Sequence, residues 1–291
     1  MKIFITGAES FVGRELVSQC EKQEIEVCGV DLAGGSKPNF YQGDIRSRDI
    51  VGIIPEGIDA IVHLAALSKD PVCKNRGYEC FDINVMGTLN LIEAAQKRRA
   101  KQFIFASSEW VYDNCNKDEI KSEESFINIA NHTSEYALSK LVSEANLRQK
   151  YQYGFCPTTV LRFGIIYGLR KEDWSAVESL FHTVKSNEEV VVGSLKTGRH
   201  FIHVSDIASG VIESLGLGGF NIINLEGDAL ITLGDIIETG GKILNRNPKI
   251  KESNPAAISL RRVSNAKAKK LLQWQPMNDL ESGLRSLIPA I

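Results

Sequence analysis

The sequence predicts an α/β protein: a doubly wound parallel sheet with a smaller C-terminal α/β lobe. Three observations predict it. Short apolar runs alternate with helical patterns through residue 165. A glycine turn, Gly7 to Gly13, separates the first apolar run from the first helix. Small or polar residues suited to a ligand recur at the predicted strand ends or just after them: Ser10, Asp31, Asp44, Ala65 and Ser108. Parallel sheets bind ligands at that end.

At 291 residues the chain is long for a single core, so one large domain and a smaller lobe are expected. The expected division is 1–165 for a dinucleotide-binding domain, with 203–228 returning to it, and 166–202 plus 229–291 for a substrate-binding lobe. A net charge of −2 gives no reason to expect nucleic acid, and no polybasic run points to a membrane surface. No apolar run reaches the roughly 18 residues of a membrane span. A cytoplasmic location is expected. Cys20, Cys28, Cys73, Cys80, Cys115 and Cys156 form no Cys-x-x-Cys and have no zinc-like His spacing, so buried free thiols and no metal are expected.

The elements follow in order. Residues 2–6 are a short β-rich run, and a helix is expected after the glycine turn to about residue 23. Gly7 permits the tight turn and Gly13 close helix–strand packing, with the helix N-terminus facing a pyrophosphate. Ser10 stands where a third glycine is usual; it is small and can donate a hydrogen bond. Residues 26–30 form the second strand. Asp31, at its end, is placed to bond the adenosine ribose hydroxyls and to repel a 2′-phosphate. Lys37 is near but no arginine is, which favours NAD over NADP. Residues 40–44 give a third strand ending at Asp44 and Ile45. Residues 60–64 give a fourth, in which His63 is expected to be structural. Small residues after Leu64, Ala65 and Ala66, let a dinucleotide lie against the backbone. One helix is expected over 78–99. Asn84 within it either bridges backbone groups or is exposed.

Residues 103–107 form the fifth strand. Residues 113–133 read as a polar surface loop or lid, 136–153 as a helix and 158–162 as a sixth strand. Beyond Gly168, helices are expected over 175–185, 232–244, 265–272 and 279–287, strands over 190–192 and 199–203, and a returning sheet strand over 220–225. Ser205 or Asp206 is the expected cap of the helix that follows 203.

Tyr136 and Lys140 are four apart and share a helix face. A lysine ammonium beside a phenol lowers the phenol from its ordinary value of about 10. Ser108 can hydrogen-bond the same substrate oxygen. The three residues suit moving a proton at a carbinol oxygen while a hydride leaves the carbon.

The ordered set Thr6-Gly-x-x-x-x-x-Gly13, Asp31, Gly43-Asp44-Ile45, His63-Leu-Ala-Ala66, Asn84-Val-x-Gly-Thr88, Ser107-Ser108-x-x-Val-Tyr112, Tyr136-x-x-x-Lys140, Leu161-Arg162, Tyr167-Gly168 and Arg199-x-Phe-Ile-His-Val-x-Asp206 resembles the extended short-chain dehydrogenase/reductase family, in its NAD-dependent epimerase/dehydratase branch. The tail 263–276 resembles that family's ending. The resemblance implies a Rossmann domain holding NAD, a lobe holding a nucleotide-linked sugar, and a homodimer formed through the two long helices. It implies cofactor contacts at Gly7, Ser10, Phe11, Val12, Gly13, Asp31, Asp44, Ile45, Leu64, Ala65, Ala66, Asn84, Tyr136 and Lys140. It implies Tyr136 as acid/base, Lys140 on the nicotinamide ribose, and substrate contacts at Ser68, Ser108, Glu109 and Arg199.

Departures from the pattern bear on the reaction. Where family dehydratases and decarboxylases carry a proton-abstracting glutamate two residues after the Ser108 position, this chain has Trp110. Glu109 is left as a second acid/base, a sugar partner or a lid contact. Ile165 and Leu169 replace a usual Asn and Pro, and Glu135 stands where Pro often precedes the tyrosine. The reading that needs no further acid/base is a sugar-nucleotide 4-epimerase. A reductase of a 4-keto sugar nucleotide uses the same three residues, and a catalytically silent NAD-binding sensor or scaffold would use the same fold.

Overall fold

The structure is a computed structural model that describes residues 1–35, 37–112 and 118–290. Cys115 and the first residues of the expected 113–133 loop lie outside the described residues. The chain divides into two compact units. Of the described residues, the first holds 1–112, 126–162 and 208–223, and the second holds 118–125, 163–207 and 224–290.

The first unit is built on a seven-stranded sheet. Its strands include β1 (Lys2–Thr6), β2 (Glu26–Asp31), β3 (Phe40–Gln42), β4 (Ala60–His63) and β5 (Phe103–Ser108). The spatial order is Phe220–Leu225, Thr158–Phe163, β5, β4, β1, β2, β3. The strand order therefore reverses beside β1. β1 pairs in parallel with both neighbours, Ile5 lying opposite Gly29 on one side and Val62 on the other. The strands are apolar nearly throughout because both faces are covered. Phe4, Ile61, Phe103 and Val160 pack with Leu91, Ile92 and Leu147 from flanking helices.

The helix expected over 78–99 is three pieces: Gly77–Phe81, a π turn at Asp82–Met86, and Gly87–Lys97. The helix carrying Tyr136 runs Glu135–Gln152, with Ser134 Oγ accepting from Ala137 N as its cap. Four cysteines, Cys20, Cys28, Cys73 and Cys80, are buried free thiols, whereas Cys156 is only half-buried.

The second unit packs Tyr167, Val177, Phe181, Phe201, Ile236 and Leu284 around the helices Ala176–Ser186 and Leu233–Leu244. Its make-up departs from the expected division. Residues 118–125 belong to it because Ile120–Lys121 pairs in parallel with Arg262–Val263. Residues 165 and 203 belong to it because Ile165–Tyr167 pairs with Phe201–His203. The helix after 203 starts at Val204, so neither Ser205 nor Asp206 precedes it as a cap. Asp206 instead accepts from Met277 N at 3.0 Å and Asn278 N at 3.1 Å, pinning the C-terminal segment. No helix of the described residues is long and apolar enough to cross a membrane.

Candidate active site

The glycine turn leaves no space for side chains. Gly7 has φ +71°, and a Cβ there would lie 2.9 Å from Ala65 N. A Cβ on Gly13 would lie 2.2 Å from Gly7 O. The turn, the helix start and the exit of β4 therefore share one cradle of bare backbone. Ser10 is the N-cap of helix Phe11–Lys22, its Oγ accepting from Gly13 N at 3.0 Å. The expected hydrogen-bond donor thus has a prior task as an acceptor. Phe11 and Val12 open the helix half-buried. A cradle of this form at a helix N-terminus suits a dinucleotide pyrophosphate.

Asp31 ends β2 and reaches back to this turn. Its Oδ2 accepts from Glu9 N at 3.0 Å, and its Oδ1 from Ala33 N at 3.2 Å. Lys37 is paired with Glu21. Asp44 is held by a bidentate partner that sequence reading passed over. Arg46 donates Nε to Asp44 Oδ1 at 3.1 Å and Nη2 to Oδ2 at 2.6 Å, and reaches Asp82 at 2.8 Å. The Arg46 guanidinium keeps the Asp44 carboxyl below its ordinary range. Ile45 is buried, and its carbonyl accepts from Asn90.

At the exit of β4 a continuous hydrogen-bond chain fixes the loop of Leu64, Ala65 and Ala66. Thr88 Oγ1 gives its proton to Asn84 O at 2.6 Å, so it accepts from His63 Nε2 at 3.0 Å. His63 Nδ1 then accepts from Thr6 Oγ1 at 2.7 Å, which accepts from Ala65 N at 3.3 Å. Burial pushes His63 down to about 3, so it is neutral and structural. Asn84 lies on the π turn, buried. Its Oδ1 accepts from Leu67 N at 2.7 Å, and its Nδ2 donates to Leu67 O at 3.0 Å and Ser139 Oγ at 2.9 Å. The amide is committed to protein groups and ties the loop to the Tyr136 helix. Ser68 is exposed just beyond this loop.

Ser108 closes β5 and is buried, its Oγ accepting from Trp110 N at 3.3 Å. Lys140 is buried beside it. Its Nζ donates to Ala106 O at 2.8 Å and lies 5.8 Å from the Tyr136 ring centroid. The expectation that the lysine lowers the phenol is corrected here. Burial pushes Tyr136 up to about 12, and a hydrogen bond with Ser108 works against that rise. Burial brings Lys140 down to about 8. Burial dominates the phenol's balance, and the Lys140 ammonium is aimed at a backbone carbonyl, Ala106 O.

Glu109 is buried on the turn Glu109–Tyr112. Behind Ser108 lies a group that sequence reading missed: Ser107, Tyr112, Glu144 and Arg162, all buried. The available signal was Glu144, four residues beyond Lys140 as Tyr136 is four before it. Arg199 belongs to the second unit, where it donates to Gly198 O at 2.7 Å, Ser259 O at 2.7 Å and Ser259 Oγ at 2.9 Å. In that unit Ile165 follows Gly164, and a Cβ on Gly164 would strike the buried Glu226 carboxylate at 2.2 Å.

A family model described as the NAD dependent epimerase/dehydratase family matches residues 3–222. UDP-glucuronate 4-epimerase of Thermodesulfobacterium geofontis is 27% identical over 308 aligned residues, spanning 98% of this chain and 94% of that protein. UDP-glucuronic acid decarboxylase 3 of Arabidopsis thaliana is 26% identical over 298 residues, 98% of this chain and 87% of that one. The crystal structure of Thermus thermophilus UDP-glucose 4-epimerase in complex with NAD superposes with a TM-score of 0.84 at 23% identity, covering 100% of this chain and 98% of that one. That likeness is one of fold. With the glycine cradle, the strand-end carboxylate and the Ser108–Tyr136–Lys140 set in place on this sheet, the chain belongs to the NAD-dependent epimerase/dehydratase family of enzymes.

Proposed function

We propose that the protein is an NAD-dependent nucleotide-sugar epimerase acting at C4, on a UDP-sugar. The observation that carries this reading is the buried Lys140 on the helix of Tyr136, its Nζ held by Ala106 O at 2.8 Å and 5.8 Å from the Tyr136 ring, with Ser108 ending the same strand β5. That arrangement moves one proton at one carbinol oxygen. A carbon acid elsewhere on the sugar would need a further base, and Trp110 stands where family relatives would carry it. Names of relatives support a UDP-linked substrate, since both the epimerase and the decarboxylase act on UDP-glucuronate-type compounds by their names.

In this reading Gly7, Gly13 and the helix start hold the pyrophosphate, and Asp31 holds the adenosine ribose. Asp44 and Ile45 lie along the adenine, and Leu64 to Ala66 line the path. NAD, when bound, supplies the hydride acceptor and a positive ring. Tyr136 takes the proton of the 4-hydroxyl, Ser108 orients that oxygen, and Lys140 holds the nicotinamide ribose. The 4-keto sugar turns over, and Tyr136 returns the proton once the opposite face has received hydride. Arg199 shares its guanidinium between Ser259 and the diphosphate of the nucleotide sugar.

The test is proton NMR of purified protein with a panel of UDP-, GDP- and dTDP-sugars and catalytic NAD. The expected result is a new C4 epimer with no net NADH. Tyr136→Phe is expected to lower the rate by roughly 100- to 10,000-fold, the usual worth of a general acid/base. Unchanged turnover in that variant would remove Tyr136 from the chemistry.

A further inference from the structure

Directly behind Ser108 runs a buried polar chain that the proposed proton transfer leaves unused. Ser107 donates its hydroxyl to Glu144 Oε1 at 2.5 Å. Arg162 closes on the same carboxylate, Nε to Oε1 at 3.0 Å and Nη2 to Oε2 at 2.6 Å. Arg162 Nη1 donates to Tyr112 Oη at 2.9 Å, and the guanidinium lies over the Tyr112 ring at 4.9 Å. All four residues are buried, none more than 6% exposed. For stability alone such a chain has no advantage over apolar groups of equal volume, because desolvating the ions offsets their attraction. Its placement is what distinguishes it. Ser107 precedes Ser108 on β5, Tyr112 ends the turn that follows β5, and Glu144 lies one helical turn beyond Lys140 on the same face.

We propose that Glu144 is a positioning residue. Through Ser107 it fixes the exit of β5 and so aims the Ser108 hydroxyl, and its carboxylate supplies counter-charge to the buried Lys140 ammonium. The proposal rests on the reading of Ser108, Tyr136 and Lys140 as the reacting set. The titratable groups that face Lys140 are Tyr136 and Glu144 on its own helix, Cys80 and Cys73 from the segment before the π turn, and His63 from β4. His63 is neutral, pushed down to about 3 by burial, and burial pushes the Cys73 thiol up to about 12. Glu144 is the carboxylate in this set. Burial brings Lys140 down, and Cys80, Glu144 and Cys73 act against it.

The experiment reads the two halves separately. Lysine labelled with carbon-13 at Cε is titrated by NMR in the purified full chain, with Lys140→Arg assigning the signal. Glu144→Gln is expected to move the Lys140 midpoint to lower pH by about 1 unit, and Glu144→Asp to restore most of it. Ser107→Ala is expected to leave that midpoint in place and lower kcat by roughly 10- to 100-fold with KM little changed. Arg162 is left unpaired in Glu144→Gln; if that variant does not fold, Glu144→Gln with Arg162→Met replaces it, and a shift of the same sign is required. An unmoved midpoint in a folded variant, or full kcat in Ser107→Ala, overturns the proposal. The titration uses no substrate, so an unmoved midpoint overturns the proposal even if the wild type epimerises no sugar. That second result would count against the proposed function alone.

Discussion

The two units place their polar groups by different means. In the first, spacing along the chain does much of the work. Gly7 and Gly13 sit six apart around a turn with no room for a Cβ, and Tyr136 and Lys140 sit one helical turn apart. In the second, partners come from distant segments. Arg199 is held by Ser259, and Gly164 is pressed against Glu226. In the proposed reading, cofactor geometry is thus written in short motifs, whereas substrate selection depends on contacts that only the folded chain assembles. The glycine turn of the first unit should tolerate added side chains poorly. Changes in the second should alter which substrate is held and leave the cofactor alone.

The severest way to break this contrast is Gly13→Ala. The new methyl would meet a backbone carbonyl at 2.2 Å, so the turn has to move. A stability loss of about 3 kcal/mol is expected, at the upper end for overpacking, with NAD binding lost by calorimetry. A Gly13→Ala variant that binds NAD normally would show that the cradle does not need its close approach. Arg199→Met sharpens the other side. A charge-assisted bond to a diphosphate is worth about 1.5–3 kcal/mol, so KM for the nucleotide sugar is expected to rise roughly 10- to 100-fold while NAD affinity holds. A change in NAD affinity instead would tie Arg199 to the wrong ligand.

Dependence on pH follows from the buried lysine. Lys140 lies below its ordinary value, at about 8, so its ammonium is intact below that pH and lost as pH rises through it. The rate is expected to fall on the alkaline side by about tenfold per pH unit once past this point. A profile flat to pH 10 would show that the charge on Lys140 is not needed. The smallest effect belongs to Ser10. Loss of its cap in Ser10→Ala should cost about 1 kcal/mol by denaturant melt, and Ser10→Gly only a few tenths. A much larger loss in NAD affinity than in stability would mean that the hydroxyl also serves the ligand.

What could be read from the sequence divides within the first unit itself. The sheet, the glycine cradle and the Tyr–Lys pair were legible because turn chemistry and helical period act over a few residues. The capture of Asp44 by Arg46 was within reach, only two positions apart, yet nothing in the spacing says that Asp82 would complete it 36 residues on. The π turn at Asn84 has no local signature in the sequence; its Asn84 carbonyl accepts from Ser143 Oγ, 59 residues away, at 3.0 Å. The direction of the Tyr136 shift was misjudged because burial, which outweighs the influence of Ser108, has no local signature. The Ser107–Glu144–Arg162–Tyr112 chain escaped for a similar reason, its bonds spanning 37, 18 and 50 residues.

The central claim is that hydride leaves C4 and returns to it within one protein molecule. A UDP-sugar carrying deuterium at C4 tests this most directly, with product and cofactor followed by NMR and mass spectrometry. Full retention of the label at C4 of the epimer, with no solvent hydrogen at any other ring carbon, is the result the account predicts. Label accumulating on free reduced cofactor would mark an oxidoreductase, and solvent hydrogen entering at C5 would mark a dehydratase or decarboxylase; either would contradict it.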